Sequence, residues 1–242
     1  MQTAGNRLAK LSRKLHRKKG RREESLFLVC GRKSIQEAIA NNAAIEHLFV
    51  TEDFAKNIDS NLHPLILDSK ELSSLSPLEI LQDAMAICKI PDVKELDTRK
   101  SALVLDAVSD PGNLGTLIRL CDWFGVEQLV LGKNCVDPHN PKCVQASMGS
   151  IFRVNIIECE LEDFYSKYES PIYAAVLEGE NVYETIFDTT PKALVLGSES
   201  HGIQVFPNEN NYTKITIPKL GNAESLNVAT AGAILLSHMR LA

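Results

Sequence analysis

The chain has 242 residues, 44% of them hydrophobic and 24% charged, which excludes a wholly disordered, collagen-like or disulfide-stapled polypeptide and, at roughly 150 residues per domain, suits one large domain or two small ones. The formal net charge of −5 conceals a split: residues 1–22 hold nine Lys or Arg and no acid, which leaves the remainder at −14. No apolar run reaches the roughly 18 residues of a membrane span, and the first residues lack the apolar core of a secretory signal.

In the basic tract Leu8, Leu11 and Leu15 recur at i, i+3 and i+7, so a helix there carries one narrow apolar stripe among its cations. That asymmetry points to nucleic acid. Arg13, Lys14, Arg17, Lys18, Lys19, Arg21 and Arg22 are candidate RNA contacts, joined by Arg32 and Lys33; a solubilising tail is the plain alternative. SLFLVC then reads as a buried strand, GRKSIQEAIANN as a helix and HLFV as a second strand. HPLILDS and DAMAICKI add strand-like runs around a short helix near Ser69 to Ser76, closing a small α/β unit near Ile90. The charged stretch KIPDVKELDTRK, with Pro91, is the expected linker. The predicted division is a basic arm (1–22), a small α/β RNA-binding domain (23–95) and a larger domain (100–242).

From Ser101 onward the runs ALVLDAV, EQLVLG, IYAAVL, KALVLG and TKITIP look buried on both faces. Helical patterns separate them over Leu114 to Phe124, Pro141 to Gly149, Leu161 to Tyr168 and Ser225 to Arg240. This alternation predicts a parallel α/β sheet with helices on both faces. The six cysteines form no C-x-x-C pair and read as free thiols; Cys135, His139 and Cys143 lack a second ligand pair, so no metal site is expected.

Three loops follow strands, where open parallel sheets hold ligands. In SDPGNLGTLIRL, Asn113 suits a helix cap and Arg119 falls within the first two turns. The loop lacks the glycine fingerprints of dinucleotide or triphosphate sites. In LGSESHGI, Gly197 and Gly202 bracket Glu199 and His201. In ITIPKLGNAESLNVATAGAILLSHM, Ser225 is a candidate N-cap, which leaves Asn227 as a polar residue with no capping duty beside an apolar helix.

Together, N-x-G-x-x-x-R (Asn113, Gly115, Arg119), G-x-E-x-x-G (Gly197, Glu199, Gly202) and P-x-x-G-x-x-E-S-L-N-V (Pro218, Gly221, Glu224, Ser225, Leu226, Asn227, Val228) resemble the three motifs of the SpoU/TrmH family, in order and at similar spacing. The segment PKCVQASMGSIFRV is similar to that family's Ser-x-Gly stretch. These are RNA ribose 2′-O-methyltransferases of the SPOUT superfamily. Residues 1–95 resemble, less specifically, the small ribosomal-protein-like RNA-binding domain that precedes the catalytic domain in many members. Cys30 stands where relatives commonly have Glu, and Ser200 where they commonly have Gly.

The resemblance implies a C-terminal trefoil knot, a homodimer, and S-adenosyl-L-methionine held mostly by backbone at Gly197, Ile217 and Leu226, with Gly202 and Gly221 in the same loops. It implies a catalytic set of Arg119, Asn113, Glu199, Ser225 and Asn227, with Arg119 supplied by its own or the other subunit. A cytoplasmic enzyme acting on ribosomal RNA is the expected role, with transfer RNA second. The alternative is a catalytically silent ribosome-assembly factor on the same fold, a reading that loss of Asn113, Arg119, Glu199 or Asn227 would favour; all four are present.

Overall fold

The computed structural model describes residues 2–78, 83–187, 191–208 and 211–239. The chain begins with α1 (Gln2–Leu15), α2 (Lys18–Glu24), β1 (Leu26–Cys30), α3 (Arg32–Ala40), β2 (Ile45–Val50), α4 (Glu52–Ala55), β3 (Leu65–Ile66), α5 (Ser69–Leu75) and β4 (Ala84–Lys89). It continues through β5 (Ala102–Asp106), α6 (Pro111–Trp123), β6 (Gln128–Leu131), α7 (Pro141–Ser147), β7 (Asn155–Glu158), α8 (Leu161–Lys167), β8 (Ile172–Asn181), β9 (Ala193–Gly197), β10 (Tyr212–Thr216) and α9 (Val228–Met239).

Two compact units result: one runs up to Asp92 and adds Asp137–Phe152, the other holds Val93–Val136 and the chain from Arg153 on. These compact units differ from the expected continuous blocks at two places. First, residues 1–22 are no separate arm. The leucine stripe folds onto the first sheet, with Leu8 and Leu11 packed against a core of Leu15, Leu28, Phe49, Leu72, Met85 and Ile87, and buried Ser12 donates to the Leu75 carbonyl at 2.8 Å. Second, Asp137–Phe152, inside the expected 100–242 block, packs with the first unit. Gly149, at φ +93°, lets this segment pass so close to α3 that a Cβ would lie 2.5 Å from Cβ of Glu37.

The first unit's sheet has the order β1-β4-β2-β3; β4 is antiparallel to β1 and β2, and β3 is parallel to β2. The second unit's sheet has the order β10-β8-β9-β5-β6-β7 and every pairing is parallel. Residues 102–106 and 128–131 and the first four of β9 are buried throughout, as apolar runs covered on both faces must be. Side chains alternate between faces: Val104, Val130 and Val195 join Leu161 and Phe164 of α8 and Tyr168 just after it. On α9, Gly232 sits where a Cβ would lie 2.7 Å from Leu117 and 3.2 Å from Leu196. Leu196 thus faces opposite to Val195, and α6 and α9 cover that side. β7 was not predicted. Its Ile156 and Ile157 are half-buried at the sheet edge, so the run carries a weaker apolar signal. Arg240, the expected end of the last helix, lies outside the described residues.

β5 and β9 are neighbours at the centre, and the chain leaves them in opposite directions: β6 and β7 lie beyond β5, β8 and β10 beyond β9. That reversal is a topological switch point, where ligands bind beyond the carboxyl ends of the strands.

Candidate active site

The loop after β5 places Asp110, not Asn113, as the cap of α6: its Oδ1 accepts from the Asn113 amide at 2.8 Å, and Pro111 occupies the first turn, where a missing N–H costs nothing. Asn113 stands one turn too late to cap, and its side chain is released for other work. After β9 the chain turns sharply. Ser198 and Gly202 exchange backbone hydrogen bonds of 3.1 and 2.9 Å, closing a five-residue loop that exposes Glu199, Ser200 and His201. Gly197 makes that closure feasible, because a Cβ there would overlap the carbonyl carbon of Gly202.

After β10, residues 217–227 form neither helix nor strand. The expected helix start at Ser225 is corrected to Val228. Asn227 is the capping residue after all, since its Oδ1 accepts from the amides of Ala229 and Thr230 at 3.0 and 3.2 Å.

Capping decides the direction of everything upstream. With Oδ1 taken by helix N–H donors, the Nδ2 of Asn227 must face away, and it donates to Asn113 Oδ1 at 2.9 Å. Asn113 Nδ2 is then the donor to the Glu199 carboxylate, an acceptor whose charge strengthens the bond. One relay, Asn227 to Asn113 to Glu199, ties the three loops together. Beneath it, buried Asp106 at the end of β5 accepts from the amides of Gln204 and Val205 at 2.6 and 2.8 Å. The sequence reading missed Asp106; a lone acid ending an apolar buried strand was the available signal.

Arg119 is exposed on α6. It stands six residues beyond Asn113, on a different face of the helix, and joins neither the relay nor any other described hydrogen bond or ion pair. Ser225 is exposed in the third loop and outside the relay. The residues expected to hold the cofactor fit a ligand read by main chain and aliphatic walls. A Cβ on Gly202 or Gly221 would meet nothing within 4 Å, so both backbones border open space. Ile217 is half-buried and Leu226 exposed in the third loop, where Lys219 is the one charged side chain between Pro218 and Gly221 and is exposed.

The cations fall into four groups. Arg13, Lys14, Arg17 and Lys19 line a shallow cleft with Gly20 and Glu23; there Lys14 is paired to Glu23 at 2.9 Å and Glu24 at 2.5 Å. Lys18, Arg22 and Lys33 are exposed. Arg32 is engaged by Asp53 and Asp83, each at 3.2 Å, and lies over the Phe54 ring. Arg21 is withdrawn from the RNA-facing set: it is 2% exposed, with Nε and Nη2 on Asp137 Oδ2 at 2.8 and 2.5 Å and Nη1 on the Leu15 carbonyl at 2.8 Å. The cysteines are packing residues. Burial pushes the thiols of Cys30 and Cys88 up to about 12 and that of Cys135 up to about 11, far from thiolate chemistry.

The SpoU rRNA Methylase family model matches residues 100–237, and a model of the MRM3-like substrate binding domain matches residues 6–86. The 23S rRNA (guanosine(2553)-2′-O)-methyltransferase RlmP of Bacillus subtilis is 31% identical over 99% of this chain and 98% of its own. Among solved structures, a TrmH-family RNA methyltransferase of Porphyromonas gingivalis superposes with a TM-score of 0.84 at 34% identity, covering 96% of each chain. An AdoMet-bound rRNA methyltransferase of Sinorhizobium meliloti superposes with a TM-score of 0.82 at 28% identity, over 96% of this chain and 93% of that one.

Proposed function

We infer, from the premise that this chain belongs to the SpoU rRNA methylase family, that it is an RNA ribose 2′-O-methyltransferase dependent on S-adenosyl-L-methionine, with ribosomal RNA as its substrate. The observation that carries this reading is the Asn227–Asn113–Glu199 relay, which gathers three loops at the switch point of the parallel sheet. When bound, S-adenosyl-L-methionine supplies a methyl group made electrophilic by a sulfonium. The backbones of Gly202 and Gly221 would approach it, Ile217 and Leu226 would pack its apolar surface, and Gly197 would keep the second loop closed against it. Ser225 offers a hydroxyl beside the substrate.

Arg119 clamps the phosphate next to the reacting ribose and stabilises negative charge growing on the 2′-oxygen. The rival role, proton acceptor, is a poor one for a guanidinium, which stays protonated. That Arg119 has no partner among the described residues supports a homodimer in which each Arg119 completes its neighbour's site. Trp123, one turn further along α6 and 78% exposed, suits burial in such an interface. The trefoil knot belongs to the same proposal.

RNA is held through Arg13, Lys14, Arg17, Lys18, Lys19, Arg22 and Lys33 on the first unit, with Arg32 reserved for its carboxylates. No described helix is long and apolar enough to cross a membrane, and we place the enzyme in the cytoplasm with the ribosome. Ribosomal RNA is preferred to transfer RNA because the Bacillus subtilis relative, similar over its full length, is named for 23S rRNA.

The deciding experiment incubates the protein and labelled S-adenosyl-L-methionine with unmodified ribosomal RNA transcripts and maps 2′-O-methyl nucleotides by their resistance to alkali. One methylated nucleotide is the expected product. Methylation of transfer RNA alone would move the substrate; no transfer and no heat of cofactor binding would leave a silent assembly factor. For the RNA-facing cations, the triple variant Arg13→Ala, Arg17→Ala, Lys18→Ala should flatten the dependence of log binding constant on log salt by about 2 to 3, at roughly 0.7–0.9 for each phosphate no longer neutralised. An unchanged slope would put the RNA on another face.

A further inference from the structure

Methylating a ribose hydroxyl frees one proton per turnover; the phosphate clamped by Arg119 or water can take it, and no side chain assigned so far does. Arg119 is already protonated. The other ionisable groups at the three loops are Asp106, Asp110, Glu199, His201, Lys219 and Glu224. Asp106 is buried beneath two backbone amides, Asp110 caps α6 and Glu199 ends the relay. Lys219 and Glu224 are exposed on the third loop; as classes, an ammonium has no acceptor lone pair and a carboxylate is a weaker base than an imidazole. Imidazole is the side-chain class that takes up and returns protons near neutrality.

We propose that His201 is the catalytic proton acceptor, held for that role by Ser200. The proposal rests on the methyltransferase reading above. His201 is exposed on the same closed five-residue turn as Glu199, and its own amide donates to Ser198 Oγ at 3.2 Å, so the relay and the ring share one rigid support. The ring's Nδ1 lies 2.7 Å from Ser200 Oγ. In the tautomer with hydrogen on Nδ1, that nitrogen donates to the Ser200 hydroxyl, and the Nε2 lone pair faces outward as an acceptor. Ser200 stands where the resembling family commonly has Gly, so this support for the ring is a property of this chain.

The step balances. The 2′-oxygen bonds to the methyl carbon as the carbon–sulfur bond breaks and leaves its electron pair on sulfur. The O–H electron pair stays with oxygen, and the proton passes to Nε2, giving an imidazolium that returns it to water before the next cycle. The other titratable and charged groups of the three loops are Glu199 on the same turn, Asp110 and Arg119 on the first loop and its helix, and Lys219 and Glu224 on the third.

The test compares wild type, His201→Gln and Ser200→Gly on the ribosomal RNA transcript, with kcat measured between about pH 5 and pH 8. Wild type should climb with pH and level off through one ionisation. His201→Gln should lose that inflection and about 10²–10⁴-fold in kcat, with the calorimetric affinity for S-adenosyl-L-methionine and the affinity for RNA unchanged. Ser200→Gly should keep the inflection at reduced kcat. A His201→Gln enzyme within about threefold of wild type, or one that keeps the inflection, overturns the proposal. Failure of the wild type itself to methylate any RNA would instead refute the reading on which it rests, and the two failures are distinct.

Discussion

Replacing Arg119 by Ala is expected to remove methyl transfer, by about 10²–10³-fold or more in kcat, which is the loss that follows removal of one donor to a developing oxyanion. The calorimetric affinity for S-adenosyl-L-methionine should stay as it is, because Arg119 bonds to no described residue of the second and third loops. Arg119→Lys keeps the charge but loses the planar fork that grips a phosphate through two parallel bonds, so it should restore only part of the rate. A mixing experiment asks which subunit supplies the group. Asn113→Ala breaks the relay in its own site, and Arg119→Ala removes the clamp it lends. If Arg119 acts across a dimer, mixing the two inactive variants regenerates intact sites and turnover returns; if it acts within its own chain, the mixture stays inactive. Ala variants within about tenfold of wild type would end the clamp assignment.

The parallel core was legible because its strands are buried on both faces and so appear as uninterrupted apolar runs between helical patterns. The three loops were legible as well, since each follows such a run and carries glycines beside polar residues. The roles inside the loops were not. Asn113 and Asn227 are both plausible caps by residue type, and only the positions at which α6 and α9 begin decide that Asp110 and Asn227 cap while Asn113 bridges. A shift of three residues in a helix start, from Ser225 to Val228, changes Asn227 from an unexplained polar residue into the one that sets the direction of the relay. The position of Asp137–Phe152 was hidden for another reason. Domain limits drawn along the chain assume contiguity, whereas this segment joins the first unit through a charge whose partner lies 116 residues away.

That partner supplies the second large effect, which concerns stability. Arg21→Ala should destabilise the first unit by about 3–5 kcal/mol, the usual result of stranding a buried charge, read as a drop in the urea midpoint. Asp137 is 8% exposed. Burial alone would push its carboxyl up, but the His139 ring and amide and the Arg21 guanidinium more than reverse this and hold it well below the ordinary carboxylate range. A depressed folded value means the pair contributes fully above the unfolded carboxylate range near pH 4 and is lost as pH falls through the lower folded value. In Arg21→Ala the carboxyl keeps the His139 ring and amide but loses the guanidinium's share of the depression, so it protonates at a higher pH than in the wild type and the penalty fades as pH falls through that range. The gap between the two proteins should therefore be widest near neutrality and narrow in acid. The double variant Arg21→Ala, Asp137→Ala removes the stranded charge and should be more stable than Arg21→Ala alone, a coupling that a double-mutant cycle measures directly. A cost below about 1 kcal/mol for Arg21→Ala would make the pair an exposed-type bridge, at odds with its burial. Nη1 of Arg21 also closes the end of α1 at the Leu15 carbonyl at 2.8 Å, so the same guanidinium ties α1 to α2, and Arg21→Ala should loosen the junction that carries Arg17 and Lys18.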